Sequence, residues 1–166
     1  MKTLLLSAFV SIFTIGLHAQ DFEVPADYKF ETADDYPQYE EDVMNGFDWI
    51  METPYGEQDE KRNEVNKFLI TWIMGSPSVS IELNENIVTF MKSSPETLII
   101  FLGGWTNYTL ENDHSKDKTE GTKAAVNAVI EFYQNNRKKL GKDKNIEKYV
   151  KMKDAGTLDD YIKENA

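Results

Sequence analysis

The chain has 166 residues and no cysteine. That absence removes thiolate catalysis, cysteine-based zinc sites, disulfide staples and an N-terminal lipid anchor from the functions to be weighed. Histidine is nearly as scarce, with only His18 and His114 in the whole sequence. No G-x-S-x-G nucleophile elbow occurs, and there is no solenoid-period repeat and no low-complexity tract. Positive charge is also short: 18 lysines and arginines stand against 29 aspartates and glutamates, for a formal net charge of −11. A surface of this sign repels phosphates and anionic lipid, so no nucleic acid is expected as a partner. It favours solubility and tolerates cations or basic partners.

Long apolar runs are limited to the start of the chain. Lys2 precedes a mostly apolar stretch from Leu4 to Leu17, and Leu17-His18-Ala19 then offers a small residue for signal peptidase. Positive start, short apolar core and small-residue exit read as a secretory signal peptide over residues 1–19, cut between Ala19 and Gln20. The apolar core is too short to span a bilayer comfortably and no stop-transfer cluster follows, so no membrane anchor is expected after cleavage. The expected location is the periplasm or the medium, an oxidising setting that the lack of cysteine suits. What remains is long enough for one compact domain.

Residues 20–35 are acidic and without helical period, and they read as an extended arm. Phe22, Val24, Tyr28 and Phe30 are its means of docking on the body. From residue 36 to 166 the period is helical. Asp34 or Asp35 is the expected cap of a first helix that carries Tyr39, Val43, Phe47 and Ile50 on one stripe. A second helix is expected from Gln58 to Met74, with Val65, Phe68, Leu69, Trp72 and Ile73 inward and Gly75 at its end. Residues 76–83 alternate as a strand would through Val79, Ile81 and Leu83. A lone strand lacks a partner, so the preferred reading is a loop followed by a helix carrying Leu83, Ile87, Phe90 and Met91. Ser94-Pro95-Glu96-Thr97 reads as a helix start, with Ser94 as its cap and the helix running to about Asn112. That helix is apolar nearly all round, which places it at the centre of the domain. A fifth helix should begin near Thr119 or Thr122 and end at Gly141, a sixth should cover Asn145 to Asp154, and Thr157 should open a short last one.

The central helix holds the main candidate for function. Leu98-Ile99-Ile100-Phe101-Leu102-Gly103-Gly104-Trp105 resembles the oxyanion-hole segment of serine esterases when read as a strand, but the elbow and the parallel sheet that such an enzyme needs are missing. Two adjacent glycines inside a helix each cost roughly 0.8–1.0 kcal/mol relative to alanine, so they need a reason. The preferred reason is close approach of another helix, for which Ala124, Ala125 and Ala128 form a suitable face. The alternative is room for a ligand bordered by Gly103, Gly104, Trp105 and Tyr108. His114, with Glu111, Asp113 and Asp117, is a weaker candidate for metal or acid–base work. An EF-hand is rejected, because Lys118 replaces the required glycine and Ala124 the final glutamate. No metal and no cofactor is called for. The sequon Asn107-Tyr108-Thr109 falls inside the central helix and is discounted.

Two runs carry a resemblance: Trp72 to Leu83 (WIMGSPSVSIEL) and Ile100 to Tyr108 (IFLGGWTNY). Together they resemble a group of small exported all-helical proteins of Gram-negative bacteria. The resemblance implies export, an all-helical domain and a bacterial source, and it implies no catalytic residue. The expected fold is therefore all-α, one domain of about six helices around the helix at residues 95–112. The expected function is non-catalytic binding of a small molecule, peptide or protein partner. The alternative is a carboxylate-based hydrolase or lyase with a pocket near Trp105 or His114. Paired carboxylates of perturbed acidity in an exposed pocket would favour the enzyme, and an open groove with aromatic walls would favour the binder.

Overall fold

A computed structural model describes residues 21–166. The expected signal peptide and its expected cleavage site lie outside the described residues. Among the described residues six α-helices follow one another: α1 Glu40–Glu52, α2 Asp59–Gly75, α3 Thr97–Glu111, α4 Lys118–Leu140, α5 Lys144–Asp154 and α6 Leu158–Asn165. No strand occurs among the described residues, so the fold is all-α as the helical period requires. No described helix is long and apolar enough to cross a membrane.

Helix α3 is the hub. It packs against α4, α1 and α2, and Ile100, Phe101, Gly103, Gly104, Trp105 and Thr106 are all buried. Its apolar circumference leaves it nowhere to go but inside, as the sequence indicates. The two glycines set how near its neighbours come. A Cβ on Gly104 would lie 2.7 Å from the Ala128 Cβ, 3.1 Å from the Ala125 Cα and 3.2 Å from the Ala124 carbonyl oxygen. Backbone thus meets backbone where α3 crosses α4, and the alanine face of α4 is what permits it. A Cβ on Gly103 would overlap the ring of Phe47 on α1.

The N-terminal arm is not loose. Residues 21–32 run without helix, and their aromatic side chains converge on Phe68 of α2. Ring centroids lie 6.4 Å from it for Phe22, 5.1 Å for Tyr28 and 6.1 Å for Phe30. Phe30 also stacks on Tyr36 at 5.0 Å. Such pairs contribute about 0.5–1.5 kcal/mol beyond the area they bury.

Three local readings are corrected. Neither Asp34 nor Asp35 caps α1. The Asp35 carboxylate instead accepts from the N–H groups of Glu31 and Thr32 at 2.9 and 2.6 Å, closing a 3₁₀ turn over Ala33–Asp35. A second 3₁₀ turn, Pro37–Tyr39, then leads into α1. The helix expected around Leu83 to Met91 does not form. Its place is taken by successive turns in which Asn84 Oδ1 accepts from the Asn86 N–H at 2.9 Å. An asparagine that satisfies backbone two residues on competes with helix at the point where nucleation is needed. Ile87 and Phe90 are still buried, because the period that suggested a helix serves equally well to space two inward turns. Finally, the Ser94 hydroxyl does not cap α3. It donates to Asp143 Oδ2 at 2.8 Å, beside Ser93 at 2.5 Å, and Glu96 occupies the cap position. Asp143 also accepts from the N–H groups of Asn145 and Ile146, so a single carboxylate caps α5 and anchors the approach to α3.

Candidate functional site

Where α1, α3 and α4 meet at the surface they leave a groove of about 420 Å³. Its walls follow helical spacing. Asp48, Met51 and Glu52 come from one face of α1, with Phe47 beneath; Gly104, Asn107, Tyr108 and Glu111 come from α3; Ala124, Asn127, Ala128 and Glu131 come from α4. The last two sets each follow i, i+3, i+4, i+7, the spacing that stacks side chains along one face. The groove exists for the same reason the helices touch. Gly104, Ala124 and Ala128 are too small to fill the outer seam above their own contact.

The floor is apolar and the rim is of one sign. Asp48, Glu52, Glu111 and Glu131 line it, and no lysine, arginine or histidine does. Asp48 reaches solvent but is crowded by protein. Burial first, and the neighbouring charges of Glu52 and Glu111 second, push its carboxyl above the ordinary aspartate value. A weak hydrogen bond from Asn107 Nδ2, at 3.4 Å, works against this. The Asn107 Oδ1 is shut off from solvent and has no partner. Asn127 Nδ2 is tied back to the Lys123 carbonyl at 2.9 Å. The arrangement offers hydrogen-bond acceptors and negative charge over an apolar bed.

The residues singled out from sequence divide in two. Gly104 and Tyr108 line the groove. Gly103 and Trp105 do not. Gly103 sits under the Phe47 ring, and Trp105 is 3% exposed, pressed against Gly121 and 6.1 Å from the Phe101 ring. Trp105 is thus a core residue, fixed where α3 passes the start of α4, and offers no face to a ligand. His114 is elsewhere too. Its Nε2 lies 2.9 Å from Glu40 Oε1, which also accepts from the Ser78 hydroxyl at 3.3 Å. Lys116 Nζ donates to the Ser78 carbonyl at 2.8 Å, so this cluster ties the α3–α4 loop to the start of α1 and to the segment after α2. Asp117, one of the three acids weighed with His114, caps α4 by accepting from the Glu120 N–H at 3.0 Å.

Asp48, Glu52, Glu111, Asn107 and Glu131 were not legible as a site. Each sits on a helix face rich in polar residues, and only the crossing of three helices brings them together. The i, i+4 pairing of Asp48 with Glu52 was the one available signal, and it reads equally well as an ordinary solvated face. Among the described residues no three histidine, aspartate or glutamate side chains converge as a metal ion would need. Comparison with models of protein families, with curated protein sequences and with solved structures returned no match.

Proposed function

We propose that this is an exported, non-catalytic binding protein whose α1–α3–α4 groove takes an organic cation, an ammonium or guanidinium group on an aliphatic stem. One observation carries the reading: four carboxylates and no basic side chain surround an apolar floor. An alkyl stem would lie on Phe47, Met51 and Ala128 while its charged head met the rim. The rim carboxylates do not gather in a group of three, which favours an extended organic cation over a metal ion. Export rests on Lys2, the Leu4–Leu17 core and Ala19, and N-terminal mass analysis of the protein from its native host tests it.

The binding test uses two probes, 1,5-diaminopentane and a short lysine-rich peptide, in titration calorimetry at low and at physiological salt. Either probe should bind, more weakly as salt rises. Replacing Glu52, Glu111 or Glu131 by glutamine should weaken binding roughly two- to fivefold each, as expected for exposed ion pairs. Absence of binding by both probes, or binding indifferent to these replacements, would contradict the assignment.

A second reading is favoured by one feature. The Asp48 carboxyl, pushed up by burial and by the charges of Glu52 and Glu111, is the group on which acid–base chemistry in this groove would rest. A hydrolase or lyase built on it would lose turnover in Asp48→Asn while keeping substrate affinity. The binding reading predicts loss of affinity instead.

A further inference from the structure

A second pocket, of about 330 Å³, opens between the end of α1, the first half of α2 and the start of α3. It shares no residue with the α1–α3–α4 groove, so it stands or falls separately. Its wall includes Arg62, which is 7% exposed. A buried guanidinium normally has a carboxylate partner. This one makes no direct ion pair among the described residues, and the Asp59 charge three residues earlier acts on it only at longer range. Its Nη atoms donate to main-chain carbonyls at the end of α1 and just after it: Ile50 at 3.3 Å, Thr53 at 2.6 Å and Pro54 at 3.4 Å. The negative end of the α1 dipole offsets part of the charge. The Nε–H is left without an acceptor. One helical turn on, Asn66 of the same wall has an Oδ1 without a donor. A buried cation with an unused donor, next to an unused acceptor, is costly to keep unless something answers both.

The rest of the pocket says what kind of molecule would do so. Ile50, Ile100 and Phe132 give it an apolar base, and Asp59 and Glu96 add two acids to the lining. A simple anion would meet Arg62 but be repelled by Asp59 and Glu96. A simple cation would satisfy those acids and leave Arg62 unanswered. A zwitterion with an apolar side chain satisfies all three. We propose that this pocket binds a free α-amino acid with an apolar side chain. Its carboxylate accepts from Arg62 Nε, its ammonium lies among Asn66 Oδ1, Asp59 and Glu96, and its side chain rests on the isoleucines and Phe132. The Nε and Oδ1 atoms are shut off from solvent, so entry must rotate the Asn66 side chain enough to open Arg62 Nε to the carboxylate while Oδ1 stays within reach of the ammonium. The volume falls in the range of small-molecule sites.

The test is a thermal-shift and calorimetric comparison of three probes on the full protein: L-leucine, isopentylamine, which lacks the carboxylate, and 4-methylpentanoate, which lacks the ammonium. Leucine should bind and raise the melting temperature. Each half-molecule should bind at least about tenfold more weakly, the scale of losing one charged hydrogen bond. Asn66→Leu, at a half-exposed helical position, should fold normally and lose leucine binding. Asp59→Asn with Glu96→Gln should shift preference towards 4-methylpentanoate. Arg62→Lys should also lose binding, and Asn66→Leu keeps the test decisive if that variant does not fold. Three results would each overturn the proposal: no response to leucine at millimolar concentration, meaning that the pocket holds trapped water only; equal binding of leucine and either half-molecule; or undiminished leucine binding by Asn66→Leu.

Discussion

The two halves of α3 use the same helix for opposite ends. From Ile99 to Thr106 it is mostly buried, with Gly104 against the α4 backbone and Trp105 against Gly121. From Asn107 to Glu111 it turns polar side chains into a groove edged by carboxylates. The first half shows small residues working as a packing device. The second shows what such packing leaves behind, a seam that nothing in the core fills. The glycines are therefore explained by contact, and the groove is a consequence of that contact that the rim residues then give its charge.

The comparison can be broken most forcefully at Gly104. Leucine there has α4 backbone on the far side and no room to turn, so it should destabilise by about 3 kcal/mol in urea unfolding, with a lower melting temperature. A neutral result would mean that α3 and α4 are not pressed together. The approach to α3 gives the next effect. Burial works to raise the Asp143 carboxyl, but hydrogen bonds from Ser93, Ser94, Asn145 and Ile146 outweigh it and hold it below the ordinary value. A carboxylate depressed in the folded state stabilises fully above its unfolded pKa, and that contribution is lost as pH falls through the folded value. Asp143→Ala should therefore cost about 2 kcal/mol near neutrality. The gap from the unaltered protein should close on acidification, and a pH-independent gap would show that the carboxylate charge is not what holds Ser93 and Ser94.

Smaller effects sharpen the same contrast. Gly104→Ala should cost about 1 kcal/mol despite the better helix propensity of alanine. Ala128→Gly, which removes the nearest clashing atom, should recover part of that in a double-mutant cycle. Additive behaviour would place the strain elsewhere than Ala128. In the groove half the sign reverses. A carboxyl whose folded pKa is raised costs stability above that pKa, and the cost vanishes as pH falls below the unfolded value. Asp48→Asn should accordingly change stability by no more than about 0.5 kcal/mol at neutral pH, in the stabilising direction, while reducing cation binding. A large loss of stability would assign Asp48 a structural role.

The architecture was readable because its signals are local. The apolar circumference of α3, the alanine face of α4 and the glycine at residue 141 each act within a few turns of chain. The segment from Ser76 to Glu96 was not, since spacing that buries Ile87 and Phe90 fits turns as well as a helix, and the Asn84 turn decides between them. Ser94 misled for a related reason. A serine before a proline is a good cap, yet here Asp143, far along the chain, offers its hydroxyl a charged acceptor. Of the groove, Gly104 and Tyr108 were anticipated as bordering a ligand, and Glu111 only as a neighbour of His114. Trp105 was drawn in by its size and its place beside the glycines, and size is also what makes it a core residue. The rim acids depend on three helices crossing, which no single periodic pattern records.

The groove's proposed role turns on a cation settling against Asp48. It is tested most directly by following the Asp48 side-chain carboxyl carbon through a pH titration by nuclear magnetic resonance, with and without saturating 1,5-diaminopentane. In the free protein the midpoint should lie above that of an ordinary aspartate, as burial, Glu52 and Glu111 require. With the diamine bound, the midpoint should move down, because a nearby positive charge favours the ionised form. A midpoint that the diamine leaves unmoved while it binds the protein would place the cation elsewhere and contradict the account of the groove.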